Sequence, residues 1–140
     1  MSYDLFLFKR RNTLISKEDI NKYLTVNLSI PNEHNSNSWW YENNETGTCF
    51  YFEYDEPLAG DEDEFEFEEF ENTHFQFHLN YKLPDTHGKE AFPIVIKLMN
   101  DLDLFIFNPQ FGAEADYPHQ PSADSLYKGW SDFNADYSAF

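Results

Sequence analysis

The run THFQFHLNYK, residues 73 to 82, alternates Phe75, Phe77, Leu79 and Tyr81 with His74, Gln76, His78, Asn80 and Lys82. A period of two fits an extended chain whose successive side chains point to opposite sides of a sheet. One side must pack and the other must meet water. The rest of the chain therefore has to supply further strands beside this one and a layer to cover its rings.

Both are legible. Residues 3 to 8, YDLFLF, form a second strand pattern, with Tyr3, Leu5 and Leu7 on one face and Asp4, Phe6 and Phe8 on the other. Two β-prone runs, 39 to 42 and 48 to 55, flank Asn43, Asn44, Glu45, Thr46 and Gly47, a turn-forming insert of hairpin length. In the second run Thr48, Phe50, Phe52 and Tyr54 share one face, and Cys49, Tyr51, Glu53 and Asp55 the other. LFIFN, 104 to 108, is apolar at nearly every position and predicts a central strand buried on both faces.

Three helices complete the layer. Ser16, followed by Lys17, Glu18 and Asp19 and then by Ile20, Tyr23 and Leu24, predicts an N-capped helix over 17 to 25. Ala91, Ile94, Val95, Leu98, Met99 and Leu102 make an apolar stripe over 88 to 103, and Pro93 confines the start of that helix to its own first turn. Leu126, Trp130, Phe133 and Tyr137 predict a last helix, or two short turns, docked on the sheet, weakened at Gly129. The order strand, helix, hairpin, strand, helix, strand, helix predicts an α+β fold: a mostly antiparallel sheet of about five strands with two or three helices packed on it. The length of 140 residues suits a single globular domain spanning 1 to 140, with no internal repeat.

Residues 56 to 73 depart from this plan. Asp61, Glu62, Asp63, Glu64, Glu66, Glu68, Glu69 and Glu71 are interleaved with Phe65, Phe67 and Phe70. From Glu64 to Glu68 the alternation would turn rings to the core and acids to water; Glu69 breaks the phase, and a bulge or turn there would return Phe70 to the ring side. The net charge is −17, with only nine Lys and Arg, and removing these eight acids still leaves −9. The whole surface is acidic, with one concentrated patch. Such a field repels nucleic acid and anionic membranes and steers basic partners inward. A charge run is ordinarily a solvated face, and acids beside an edge strand also discourage edge pairing. The sharper reading is a recognition surface for a strongly basic protein. Trp39 and Trp40, adjacent on a strand, must point to opposite faces, so one is a candidate interface anchor, against core or edge packing of both.

Other chemistries lack support. His74 and His78 on one strand stand about 13 Å apart, too far to share an ion, and read as solvent-facing. One cysteine permits neither an internal disulfide nor a zinc cluster, and Cys49 among large aromatics reads as inert filler. The acidic run lacks the glycine that a calcium loop needs, and all five glycines are isolated, without a phosphate loop or dinucleotide fingerprint. A carboxylate pair drawn from 26 acids says nothing about catalysis. No metal, cofactor or catalytic residue is expected. No run approaches a membrane span, and the segment YDLFLFKRR carries its positive charge after its apolar residues, the reverse of a secretory signal; a cytoplasmic protein is expected.

YDLFLF, the pattern Y-x-N-x-x-T-G-x-x-F-x-F-E over Tyr41 to Glu53, F-x-F-x-L-N-Y over Phe75 to Tyr81, and the EA and NPQ of Glu90 to Gln110 together resemble small acidic bacterial immunity proteins of polymorphic toxin systems. The resemblance implies a non-enzymatic, one-to-one binder of a cognate toxin effector, often a basic nuclease, whose active site it occludes; the hairpin edge and exposed aromatics suit either a monomer or a homodimer. It carries over no individual residue. The residues offered for partner contact are therefore the eight acids of 61 to 71 with Trp39 and Trp40, chosen on charge and aromatic content. The rival from another class is a regulatory binding module holding a small ligand in an aromatic cleft.

Overall fold

The computed structural model describes residues 2–34, 36–56, 67–109 and 117–138. Along the chain run β1 (Ser2–Arg10), α1 (Lys17–Lys22), β2 (Ser38–Glu42), β3 (Cys49–Tyr54), β4 (Phe70–Asn80), α2 (Asp85–Leu102), β5 (Phe105–Phe107) and α3 (Ala123–Ser138). The strands form one five-stranded sheet in the order β2-β3-β4-β1-β5, antiparallel at every step. The fold is α+β, and the element order is the one the sequence predicts.

The helices all pack on one face. Tyr3, Leu5 and Leu7 of β1, Phe50 and Phe52 of β3, Phe75, Phe77 and Leu79 of β4 and Ile106 of β5 join Ile20, Leu24, Phe92, Val95, Leu98, Leu126 and Trp130 in a single buried cluster. Each such side chain contributes about 1.5 to 3 kcal/mol on leaving water. Phe8, Phe70, Phe105 and Phe107 form a second, smaller cluster with Phe6 and Phe67. It lies on the opposite side of the sheet, because Phe6 and Phe8 alternate with Leu5 and Leu7.

Four expectations need correction. The strand at 104 to 108 is buried on both faces but lies at the edge, next to β1 alone. Its outer backbone is covered by residue 119: the Ile106 N–H donates to the His119 carbonyl at 2.7 Å and the reverse bond is 3.1 Å. An edge closed in this way tolerates a wholly apolar strand. α2 begins at Asp85, so Pro93 stands inside it. The extra first turn is held by burial of His87 and Gly88, while the exposed Pro93 side keeps its ring in solvent. The first helix is α-helical only to Lys22 and widens into a π turn over Tyr23–Asn27, which keeps Tyr23 and Leu24 in the core and lets the Tyr23 hydroxyl donate to Asp101 at 2.5 Å. Cys49 opens its strand instead of sitting within it.

Pro93 leaves the Lys89 carbonyl without its helical donor. Pro93→Ala is expected to raise stability by about 1 kcal/mol, less than the full proline penalty because the freed unfolded chain gains entropy. Urea unfolding would read this as a higher midpoint with an unchanged slope.

The hairpin is fastened to α2 through one carboxylate. Glu90 accepts from the Tyr41 hydroxyl at 2.6 Å, the Thr46 hydroxyl at 2.9 Å and the Asn43 amide at 3.2 Å. Gly47 supplies the φ of +76° that closes the turn. The residues of the Y-x-N-x-x-T-G pattern and the glutamate of the EA pair thus form one bonded unit, with a structural reason to occur together.

Candidate functional site: the helix-free face

Among the described residues, no helix packs on the second face of the sheet. Strand pairing sets Trp40 opposite Tyr51, and Tyr51 opposite His78, while His78 is paired with Asp4. Four residues from four strands therefore form one row across the sheet, about 14 Å long at roughly 4.8 Å per strand. The Trp40 and Tyr51 rings stack at 4.4 Å and 19°, and the Tyr51 and His78 rings at 4.7 Å and 26°. His78 Nδ1 meets the Asp4 carboxylate at 2.6 Å, which fixes the imidazole plane. Nε2 of His78 is closed to solvent and makes no hydrogen bond among the described residues.

His78 corrects the solvent-facing expectation: it is only 8% exposed, because Tyr51 covers one ring face and Asp4 engages its edge. Strand alternation places it on the polar side but cannot reveal neighbours from distant strands. Trp39 and Trp40 do point to opposite faces. Trp39 is buried against Phe75 and donates its indole N–H to Asn21 at 2.8 Å, whereas Trp40 is half-buried at the end of the row. Of the two, Trp40 is the one available to a partner. Tyr51 was not among the sequence candidates, although an aromatic on the acid-bearing face of its strand was the signal.

The other end of the same face carries the described part of the acidic segment. Phe67 packs edge-on against Phe8 and at a tilt against Phe107, both at 5.4 Å, and Phe70 is buried on Phe105. A bend at 68 and 69 lies between them, clamped by Arg11, whose guanidinium donates to the Phe67 carbonyl at 2.7 Å and the Glu68 carbonyl at 2.9 Å. Glu68 and Glu69 are exposed there. Glu71 is also exposed, but alternation turns it to the opposite face of the sheet, 3.6 Å from Lys9. Asp61, Glu62, Asp63, Glu64, Phe65 and Glu66 lie outside the described residues. The remaining strand positions of this face add Glu42 and Glu53 and, besides Arg11, Arg10, which is paired with Asp103 at 3.6 Å.

Ionisation follows this geometry. Burial alone would raise the Asp4 pKa, but hydrogen bonds from His78 and Ser2 outweigh it and hold the carboxyl below its ordinary range. Desolvation likewise opposes, and the Tyr41, Thr46 and Asn43 bonds overcome, at Glu90, which is also lowered. Burial, reinforced by Glu42, pushes the Cys49 thiol up, which makes thiolate scarcer. Among the described residues no three His, Cys, Asp or Glu side chains gather as metal ligands, and no helix is long and apolar enough to cross a membrane.

Both depressed carboxyls bind fewer protons folded than unfolded at mildly acid pH. Their stabilisation is complete above the unfolded value, near pH 4, and is lost as pH falls through the folded values. Melting temperature is expected to fall steeply below about pH 4, and less steeply in Asp4→Asn and Glu90→Gln, which begin lower at pH 7. Relief of self-repulsion among the acids is common to all three proteins and cancels in the comparison.

Comparisons with protein-family models, with curated proteins and with solved structures find no match to this chain.

Proposed function

We propose that this protein is a non-enzymatic inhibitor of the immunity type, which binds a basic toxin effector in the cytoplasm and occludes its active site with the helix-free face. The observation that carries this reading is the Trp40–Tyr51–His78–Asp4 row, an aromatic platform held flat by stacking and set among carboxylates. Aromatic groups at the centre of a patch supply most of the binding energy of an interface, and charges around them set encounter rate. A net charge of −17 favours a basic partner, and a nuclease, whose own site must attract a polyanion, is the natural class.

Capture of the tagged protein from its native host at low and high salt tests the reading. One basic effector retained in near-equal amount supports it; nothing retained in either condition overturns it. With that effector in hand, Glu68→Gln combined with Glu69→Gln is expected to slow association roughly threefold to tenfold at low salt and to flatten its salt dependence. Stopped-flow mixing measures both, and unchanged rates would remove these two acids from the encounter surface.

A second reading is favoured by one feature. A groove of about 770 Å³ beside Trp40 and Tyr41 is large enough for a small ligand and partly aromatic. That module would keep no protein partner, and its melting temperature would rise with the ligand bound.

A further inference from the structure

The groove has a second property that its volume does not convey. Trp40, Tyr41 and Glu42 all line it, opposite Leu28, Pro31 and Glu33. Side chains on a strand alternate between faces, so three in succession can border one space only along the strand's edge. β2 is the outer strand at that end of the sheet.

The outward backbone of β2 is engaged only in its first half. The Glu33 N–H donates to the Ser38 carbonyl at 2.9 Å and the Trp40 N–H to the Pro31 carbonyl at 3.2 Å, around an antiparallel bridge between Asn32 and Trp39. The Asn43 N–H turns inward to the Thr48 carbonyl at 2.9 Å. By alternation the Glu42 N–H and C=O point outward, and among the described residues nothing bonds to them. An unpaired outer edge beside an open groove is a template for another strand. Among the described residues that line it, the acids are Glu33 and Glu42, and none is Lys or Arg.

We propose that this groove takes an extended, lysine- or arginine-bearing segment of the basic partner, which adds to β2 as a further strand. The proposal rests on the inhibitor reading and specifies one of its contacts. Main-chain bonds to Glu42 would set the register, and Glu33 and Glu42 would receive the basic side chains. A second copy of the chain suits the edge poorly, because pairing two β2 strands would bring like acids together across the join.

The test uses the full chain, labelled with 15N, and an alternating lysine-valine hexapeptide, alongside the same peptide N-methylated at every residue, so that neither of its edges can pair. The unmodified peptide is expected to slow amide exchange at Glu42 at least tenfold, and the N-methylated one, equal in charge, to leave it unchanged. Glu42→Pro removes the outward donor at a position where an edge strand tolerates proline, and is expected to weaken peptide binding at least tenfold. Glu42→Gln keeps the donor and is expected to weaken it about threefold. Equal action of the two peptides, no binding at millimolar peptide, or unchanged Glu42 exchange at saturation overturns the proposal, even if the proline variant does not fold. A dimer in solution that Glu42→Pro dissociates overturns it too, by naming a second copy as the occupant. Effector captured equally by wild type and a folded Glu42→Pro chain sinks the groove and spares the inhibitor reading. Peptide bound as expected by a chain that captures no effector sinks the inhibitor reading and spares the groove.

Discussion

Replacing Trp130 with alanine is expected to cost about 4 kcal/mol and to lower the melting temperature by roughly 10 to 15 °C. The indole is fully buried on α3, donates its N–H to the Asn80 carbonyl at the end of β4 at 3.0 Å, and packs against Phe92 of α2. One side chain thus ties the last helix to both the sheet and its neighbouring helix. Its removal leaves a cavity and an unpaired carbonyl together. The approach is close because residue 88 is glycine: a Cβ there would stand 2.6 Å from two atoms of the indole ring. Gly88→Ala should therefore destabilise although alanine is the better helix former, since the ring cannot retreat in a packed core. Calorimetry of Trp130→Ala, Trp130→Phe and Gly88→Ala separates these contributions. A melting temperature within 3 °C of wild type for Trp130→Ala would mean that α3 is not docked as described.

On the inhibitor reading proposed above, Tyr51→Ala is expected to weaken binding of the basic effector about 30-fold or more, equivalent to about 2 kcal/mol, mainly through faster dissociation. Tyr51 is the middle ring of the row, so its loss uncovers His78 and leaves Trp40 without the surface that holds it flat. Tyr51→Phe keeps both stacks and should bind within about threefold of wild type, whereas Trp40→Ala should resemble Tyr51→Ala. The expected effect differs in kind from that proposed for the acids, which would act on encounter and be screened by salt. Surface-immobilised effector would report the two separately. A Tyr51→Ala chain that dissociates as slowly as wild type would place the contact elsewhere on the molecule.

Period alone revealed most of the fold. Alternation in β1, β3 and β4 assigned each ring to its face correctly, and the stripe from Ala91 to Leu102 found the helix that covers them. What it missed depends on residues far apart in the chain. Whether an apolar strand is central or at an edge depends on its cover, and β5 is covered by residue 119. Pro93 argued correctly about local cost but could not weigh the burial of residues one turn earlier. The site shows the same division. Parity separated Trp39 from Trp40, yet nothing local said which faced the core. His78 looked solvated because Asp4 and Tyr51 reach it only through β1 and β3. Composition drew attention to the acids of 61 to 71, while the aromatic row was spread over four strands and had no signature in any one of them.

The position of β1 has a consequence for how the protein comes to be made. It lies between β4 and β5, and its pairings join Arg10 to Phe70 and Ser2 to Asn80. The hairpin of β2 and β3 closes over a short turn, but β1 has no partner until roughly 60 to 80 further residues exist. Contacts so distant in sequence make folding slow, on the scale of milliseconds to seconds once the chain is complete. During synthesis, at about 5 to 20 residues per second, Leu5, Phe6, Leu7 and Phe8 wait several seconds with both strand edges and both faces bare. β1 is thus a segment that a chaperone would have to shield for that interval.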